Sequence, residues 1–140
     1  MNLSKKGEDL LKTVEVLSLQ PYDDQKGLKS APIRSWVKGA TIGWGHLISQ
    51  NEWNKYKNGI TLEQAQELFD ADALPFIAAV NNVINVPQSQ NEFDACVMLA
   101  YNIGAGENGF SGSSVAKMIN GVKTRYPTLE SAWKAWNKDN

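Results

Sequence analysis

The chain has one cysteine, one histidine and no run of apolar residues near the roughly 20 needed to cross a bilayer. A lone cysteine excludes an intrachain disulfide. Cys96 lies in the apolar run "FDACVMLAYNIG" and reads as a buried, inert thiol, with no second histidine to make it a nucleophile. One cysteine and one histidine cannot close a zinc site, and no carboxylates fall at EF-hand spacing, so neither a metal nor another cofactor is expected. Charge of one sign is also missing. A formal net charge of −1 supplies no basic field, which argues against a nucleic-acid partner. The N-terminus "MNLSKKGEDLLK" places Glu8 and Asp9 where a signal peptide would turn apolar. Synthesis in the cytoplasm without a Sec signal is the expectation, with no membrane insertion.

What is present fits one domain of 140 residues with an ordinary 42% of apolar positions. Leu10, Leu11, Val14 and Leu17 repeat at helical spacing over 5–17, behind Ser4 as an N-cap. Glu15 then falls at the negative end of the helix dipole, where a carboxylate is mildly destabilising. From 20 to 48 prolines and glycines punctuate short β-like runs, "SWV" and "ATIGW", which predicts a two- or three-stranded antiparallel sheet. "SQNE" at 49–52, "TLEQ" at 61–64 and "SQNE" at 89–92 are capping boxes. They open a short helix, a long one over 62–84 that Pro75 is expected to kink or split, and an apolar one over 90–103. Ser113 or Ser114 and then Thr128 start two more. The class is α+β: a helix, a small sheet, then a helical body.

Most carboxylates have plain structural roles. Glu52 and Glu92 complete capping boxes, and Glu63, Glu67 and Asp70 read as the solvated face of the long helix. Glu15 and the Asp23–Asp24 pair stand apart, because they flank a helix-to-sheet junction. Two carboxyl groups, one protonated and one ionised, are what glycoside hydrolysis requires. "KGATIGWGH", residues 38–46, follows them and carries the single histidine, His46.

Glu15, an aspartate nine residues on at Asp24, and "TIGWGH" at 41–46 together resemble the phage-type, T4-lysozyme-like lysozymes and endolysins of glycoside hydrolase family 24. The likeness runs through "GITLEQAQELFDADALPFIAAVNNVINVPQSQNEFDACVMLAYNIGAG" and covers about residues 3–137. It implies a lysozyme-like α+β fold, with an N-terminal helix and sheet lobe, a helical lobe and a cleft between them. It also implies a muramidase that cuts the β-1,4 bond between N-acetylmuramic acid and N-acetylglucosamine in peptidoglycan. Glu15 would be the general acid, Asp24 the base acting on water, and Thr41 the holder of that water, in an inverting arrangement. Tyr22 takes the aromatic place two before Asp24. His46 would pack against Glu15 and position it, as a neutral imidazole. An acid role needs a raised Glu15 pKa, for which Val14, Val16 and Leu17 are the apolar neighbours at hand.

The sequence departs from the family in three ways. Val16 stands where many members have glycine, the stretch between Asp24 and Thr41 is long, and the last helices with their arginine-rich segment fall beyond Asn140. The resemblance therefore implies a C-terminally shortened domain. It leaves two alternatives to a phage or prophage endolysin acting on periplasmic peptidoglycan after release. One is a delivered antibacterial lysozyme toxin with an immunity protein as its partner. The other is a non-catalytic peptidoglycan-binding module.

Overall fold

Ser4 opens the first helix, α1 (Lys5–Val14), by accepting the Gly7 N–H on its hydroxyl at 3.0 Å. In the computed structural model, which describes residues 1–26 and 31–137, α1 ends three residues earlier than its apolar spacing predicts. Val16 breaks it, with φ at +22°, in the left-handed region that a β-branched residue rarely enters. Three strands follow, β1 (Ser18–Asp23), β2 (Ala40–Gly43) and β3 (His46–Leu47), in an antiparallel sheet of order β1-β2-β3. Tyr22 pairs with Thr41, Asp23 with Ala40, and Ile42 with His46, with a β-bulge between Ser18 and Tyr22.

The run "SWV" at 35–37 is not a strand. Its apolar side chains pack under the sheet, and the Trp36 indole N–H donates to the Ile48 carbonyl at 2.8 Å, so burial replaces ladder pairing. A short 3-10 turn (Gln50–Glu52) leads into α2 (Trp53–Tyr56), closed at its start by the Ser49–Glu52 box. The long helix α3 (Leu62–Val83) begins with Thr61 and Gln64 capping each other and runs through Pro75 unsplit. Helix α4 (Gln90–Ile103) matches its expected bounds and stops at Gly104, φ +96°. Ser113 caps α5 (Ser114–Ile119) and Thr128 caps α6 (Leu129–Lys134).

The chain divides into two compact units, residues 1–8 with 73–140, and residues 9–72. The first is built around Phe93, Val97, Phe110 and Val115, all fully buried, with Cys96 among them. There the buried Asp94 carboxylate accepts from the Ser4 backbone N–H at 3.1 Å, from the Ser4 hydroxyl, and from the Gln90 amide at 2.8 Å. The second has a smaller core of Ala40, Ile42, Ile48 and Tyr56, which anchors the strands and hence every residue of the candidate site. No described helix is long and apolar enough to cross a membrane.

Candidate active site

The end of α1 and the β2–β3 turn meet at Glu15. Its backbone N–H still donates to Leu11 at 3.0 Å, so the residue is held as a last, unwound turn of helix. Its carboxylate lies against Gly45: a Cβ built there would sit 2.4 Å from Glu15 Oε2. Gly45 also has φ +76°, so glycine is required twice over, by backbone conformation and by space. The half-buried carboxyl has its pKa raised, first by burial and then by the charge of Asp24. Of the apolar neighbours that sequence offers for this, Val14 is 70% and Val16 50% exposed, while Leu17 is half-buried. The glycine turn at Gly45 also closes on the carboxylate, a contact that hydropathy does not register.

Asp23 and Asp24 are adjacent but differently engaged. Asp23 is 8% exposed, and its Oδ1 accepts the Gln25 N–H at 3.0 Å while abutting Gly39, where a Cβ would lie 2.5 Å away. It is spent on the loop. Asp24 is exposed, its N–H donates to the Gly39 carbonyl at 2.9 Å, and its charge reaches both Glu15 and Tyr22. The Tyr22 phenol is buried and its pKa is raised, by burial first, then by Asp24 and Glu15, which keeps it a neutral hydrogen-bond donor. Opposite Tyr22 on β2, Thr41 is 4% exposed and its hydroxyl donates to the Gly39 carbonyl at 2.9 Å. Its oxygen lone pairs are thereby left free to accept a hydrogen bond. Glu15, Tyr22, Asp24 and Thr41 thus belong to one small constellation.

His46 is placed differently from the expectation. Its Nδ1 is 2.8 Å from Asp72 Oδ2 and its Nε2 is 3.4 Å from Glu52 Oε1, an ion-pair distance without hydrogen-bond alignment. The Tyr56 ring stands edge-on to it, with centroids 5.6 Å apart. The hydrogen bond that His46 donates to Asp72 raises its pKa, against the effect of burial, and the charges of Asp72 and Glu52 raise it further. The two carboxylates favour the protonated ring over the neutral imidazole expected from the sequence. The ring fixes the start of β3 and so the Gly45 turn on which Glu15 rests.

Two features were not read from sequence. Asp72 sits one helical turn after the buried Phe69, a carboxylate on the apolar stripe of α3, and that misplacement was the available signal. Lys12, in the last turn of α1, holds its ammonium 4.2 Å above the Trp44 ring and 5.1 Å from Phe69, and donates to the Gln66 side-chain oxygen. A cation over tryptophan is worth about 0.5–1 kcal/mol at such sites and pins the same turn from its other side. Nothing in the spacing of 12, 44, 66 and 69 announces it.

A glutamate just past the first helix, an aspartate just past β1 and a threonine on the facing strand of a small antiparallel sheet are the arrangement of the lysozyme class. Comparison with known proteins agrees. The family described as "Phage lysozyme" matches residues 12–140, and the chain belongs to it. It is 34% identical over 138 residues to an endolysin of Bacillus phage PZA, covering 99% of this chain and 47% of that protein. The chain therefore spans about half the length of that relative. It is 30% identical to an endolysin of Salmonella phage P22, covering 99% of this chain and 85% of the relative. Among solved structures, the muramidase domain of SpmX from Asticaccaulis excentricus superposes with a TM-score of 0.71 at 29% identity, covering 99% of this chain and 82% of that one.

Proposed function

We propose that the chain is an inverting muramidase that lyses peptidoglycan, with Glu15 as acid and Asp24 as base. Glu15 gives its proton to the glycosidic oxygen as the bond to the anomeric carbon of N-acetylmuramic acid breaks. A water attacks that carbon from the opposite face and loses its proton to Asp24, so the two carboxyl groups exchange protonation states over the reaction. Thr41 accepts a hydrogen bond from the water and orients it. The observation that carries this reading is the half-buried Glu15, its pKa raised by burial and by the charge of the exposed Asp24 nearby. A non-catalytic module has no use for that penalty. The phage relatives favour an endolysin over a delivered toxin with an immunity partner. On the endolysin reading, the chain is made in the cytoplasm and reaches the periplasmic wall after release.

Proton NMR of freshly cut peptidoglycan tests the mechanism. New muramic-acid reducing ends should appear first as the α-anomer. First appearance of the β-anomer would mean retention, and release of no reducing ends would remove the muramidase reading.

A further inference from the structure

From 25 to 51 the chain has no acidic residue, yet carries Lys26, Lys29, Arg34 and Lys38. The near-zero net charge hides this asymmetry. Arg34 from this stretch and Lys57 from the turn after α2 line the same hollow, about 450 Å³, together with the amides of Gln20 and Asn58 over a floor of Pro32 and Ile33. No carboxylate lines it. Both cationic segments are tied to β1 or its approach. The Ile33 N–H donates to the Pro21 carbonyl at 3.0 Å, and the Ile60 N–H to the Leu19 carbonyl at 2.9 Å. Gly59, φ +91°, brings the turn so close that a Cβ would lie 2.4 Å from Gln20 Nε2. Among the described residues neither Arg34 nor Lys57 has an anionic partner.

Two unpaired cations held around one concavity repel each other, and an oxyanion between them relieves that repulsion. Arg34 offers a planar fork of donors for such a group, Lys57 a point charge, and the two amides further N–H donors. We propose that this hollow binds an oxyanion, carboxylate or phosphate, carried on the wall polymer. This rests on the reading of the chain as a peptidoglycan hydrolase, and it names a second point of attachment for its substrate. Gln20 on β1 precedes Asp24, just past that strand, by four residues, on the order of 13 Å at strand rise. The site therefore lies on the same unit as the cutting residues but shares none of them. It holds the polymer by charge while Glu15 and Asp24 act on the glycan.

The test compares the parent with Arg34→Ala/Lys57→Ala and with Lys117→Ala/Lys123→Ala, which makes the same change in net charge on the other unit. Lysis kinetics are measured at 20 and 300 mM NaCl on sacculi bearing phosphate polymers and on sacculi stripped of them, where only peptide carboxylates remain. At low salt the first variant should raise KM about five- to tenfold with kcat within twofold, and the gap should close at high salt. The control should do neither. A rise in KM on both substrates assigns a carboxylate ligand, and one confined to unstripped sacculi assigns a phosphate. An unchanged KM on both, or an equal rise in the control, overturns the proposal. If the parent cuts neither substrate, the hydrolase reading fails separately. Titration of inorganic phosphate and of acetate, followed at the Arg34 side-chain N–H by NMR, then decides the binding site, and no shift with either overturns it.

Discussion

Gly43 and Gly45 flank the tryptophan of the β2–β3 turn, and alanine at each should have separable effects. Both have positive φ, +69° and +76°, so each substitution forces an L-residue into the left-handed region at about 1–2 kcal/mol. For a chain of this size that is a Tm loss of roughly 3–7 °C in both variants. Space distinguishes them. A Cβ on Gly43 would meet nothing nearer than 3.8 Å, whereas on Gly45 it would lie 2.4 Å from Glu15 Oε2 and 3.3 Å from its Cδ. Restoring ordinary contact requires the Glu15 carboxylate to move about 1 Å, a displacement that can cost on the order of 100-fold in rate. Turbidity clearing of wall suspensions and thermal melts give both numbers. Gly43→Ala should lose stability and keep most of its kcat; Gly45→Ala should lose stability to a similar degree and most of its activity. Equal activity in the two variants would refute the claim that the glycine turn sets the position of Glu15.

Asp24→Asn should lose activity about 100-fold or more, whereas Asp23→Asn keeps the oxygen that accepts the Gln25 N–H and should stay active; equal loss in two folded variants would break the assignment of the base. His46→Asn should cost about 1.5–3 kcal/mol near pH 6, the worth of a charge-assisted hydrogen bond. Because the folded-state pKa is raised, that contribution is complete below the unfolded value near 6.5 and is lost as pH rises through the folded value. The Tm gap should therefore narrow from pH 6 to pH 9, and a constant gap would mean the ring is not charged in the fold. Val16→Gly should be at least as stable as the parent, since left-handed strain of about 1–3 kcal/mol exceeds the entropy cost of glycine. A clear drop in Tm would show that the exposed valine side chain contributes packing.

Local chemistry was legible in the sequence. Ser49, Thr61, Ser89, Ser113 and Thr128 all cap the helices that their neighbours suggest, because a cap needs only residues three positions apart. The β2–β3 turn was legible for the same reason, through its two glycines. Tertiary partners were not. His46 meets Asp72 26 residues away on α3, and no local pattern distinguishes that carboxylate's partner from any other cation. "SWV" has strand-like composition, but its residues are used as core rather than as ladder. The helix end at Val14 depends on Val16 adopting a backbone conformation its residue type disfavours, which propensity argues against. The nine-residue step from Glu15 marks Asp24, and no local pattern showed that Asp23 is engaged with Gln25 and Gly39.

Glu15 as a general acid kept protonated by its surroundings is the central claim, and carbon-13 NMR titration of its side-chain carboxyl tests it most directly. In the parent, Glu15 should titrate above the ordinary glutamate value of 4.5. In Asp24→Asn it should fall part of the way back and remain raised, because burial is the larger cause and survives the substitution. A Glu15 that titrates at or below 4.5 in the parent, or one that does not move when Asp24 loses its charge, would contradict the account.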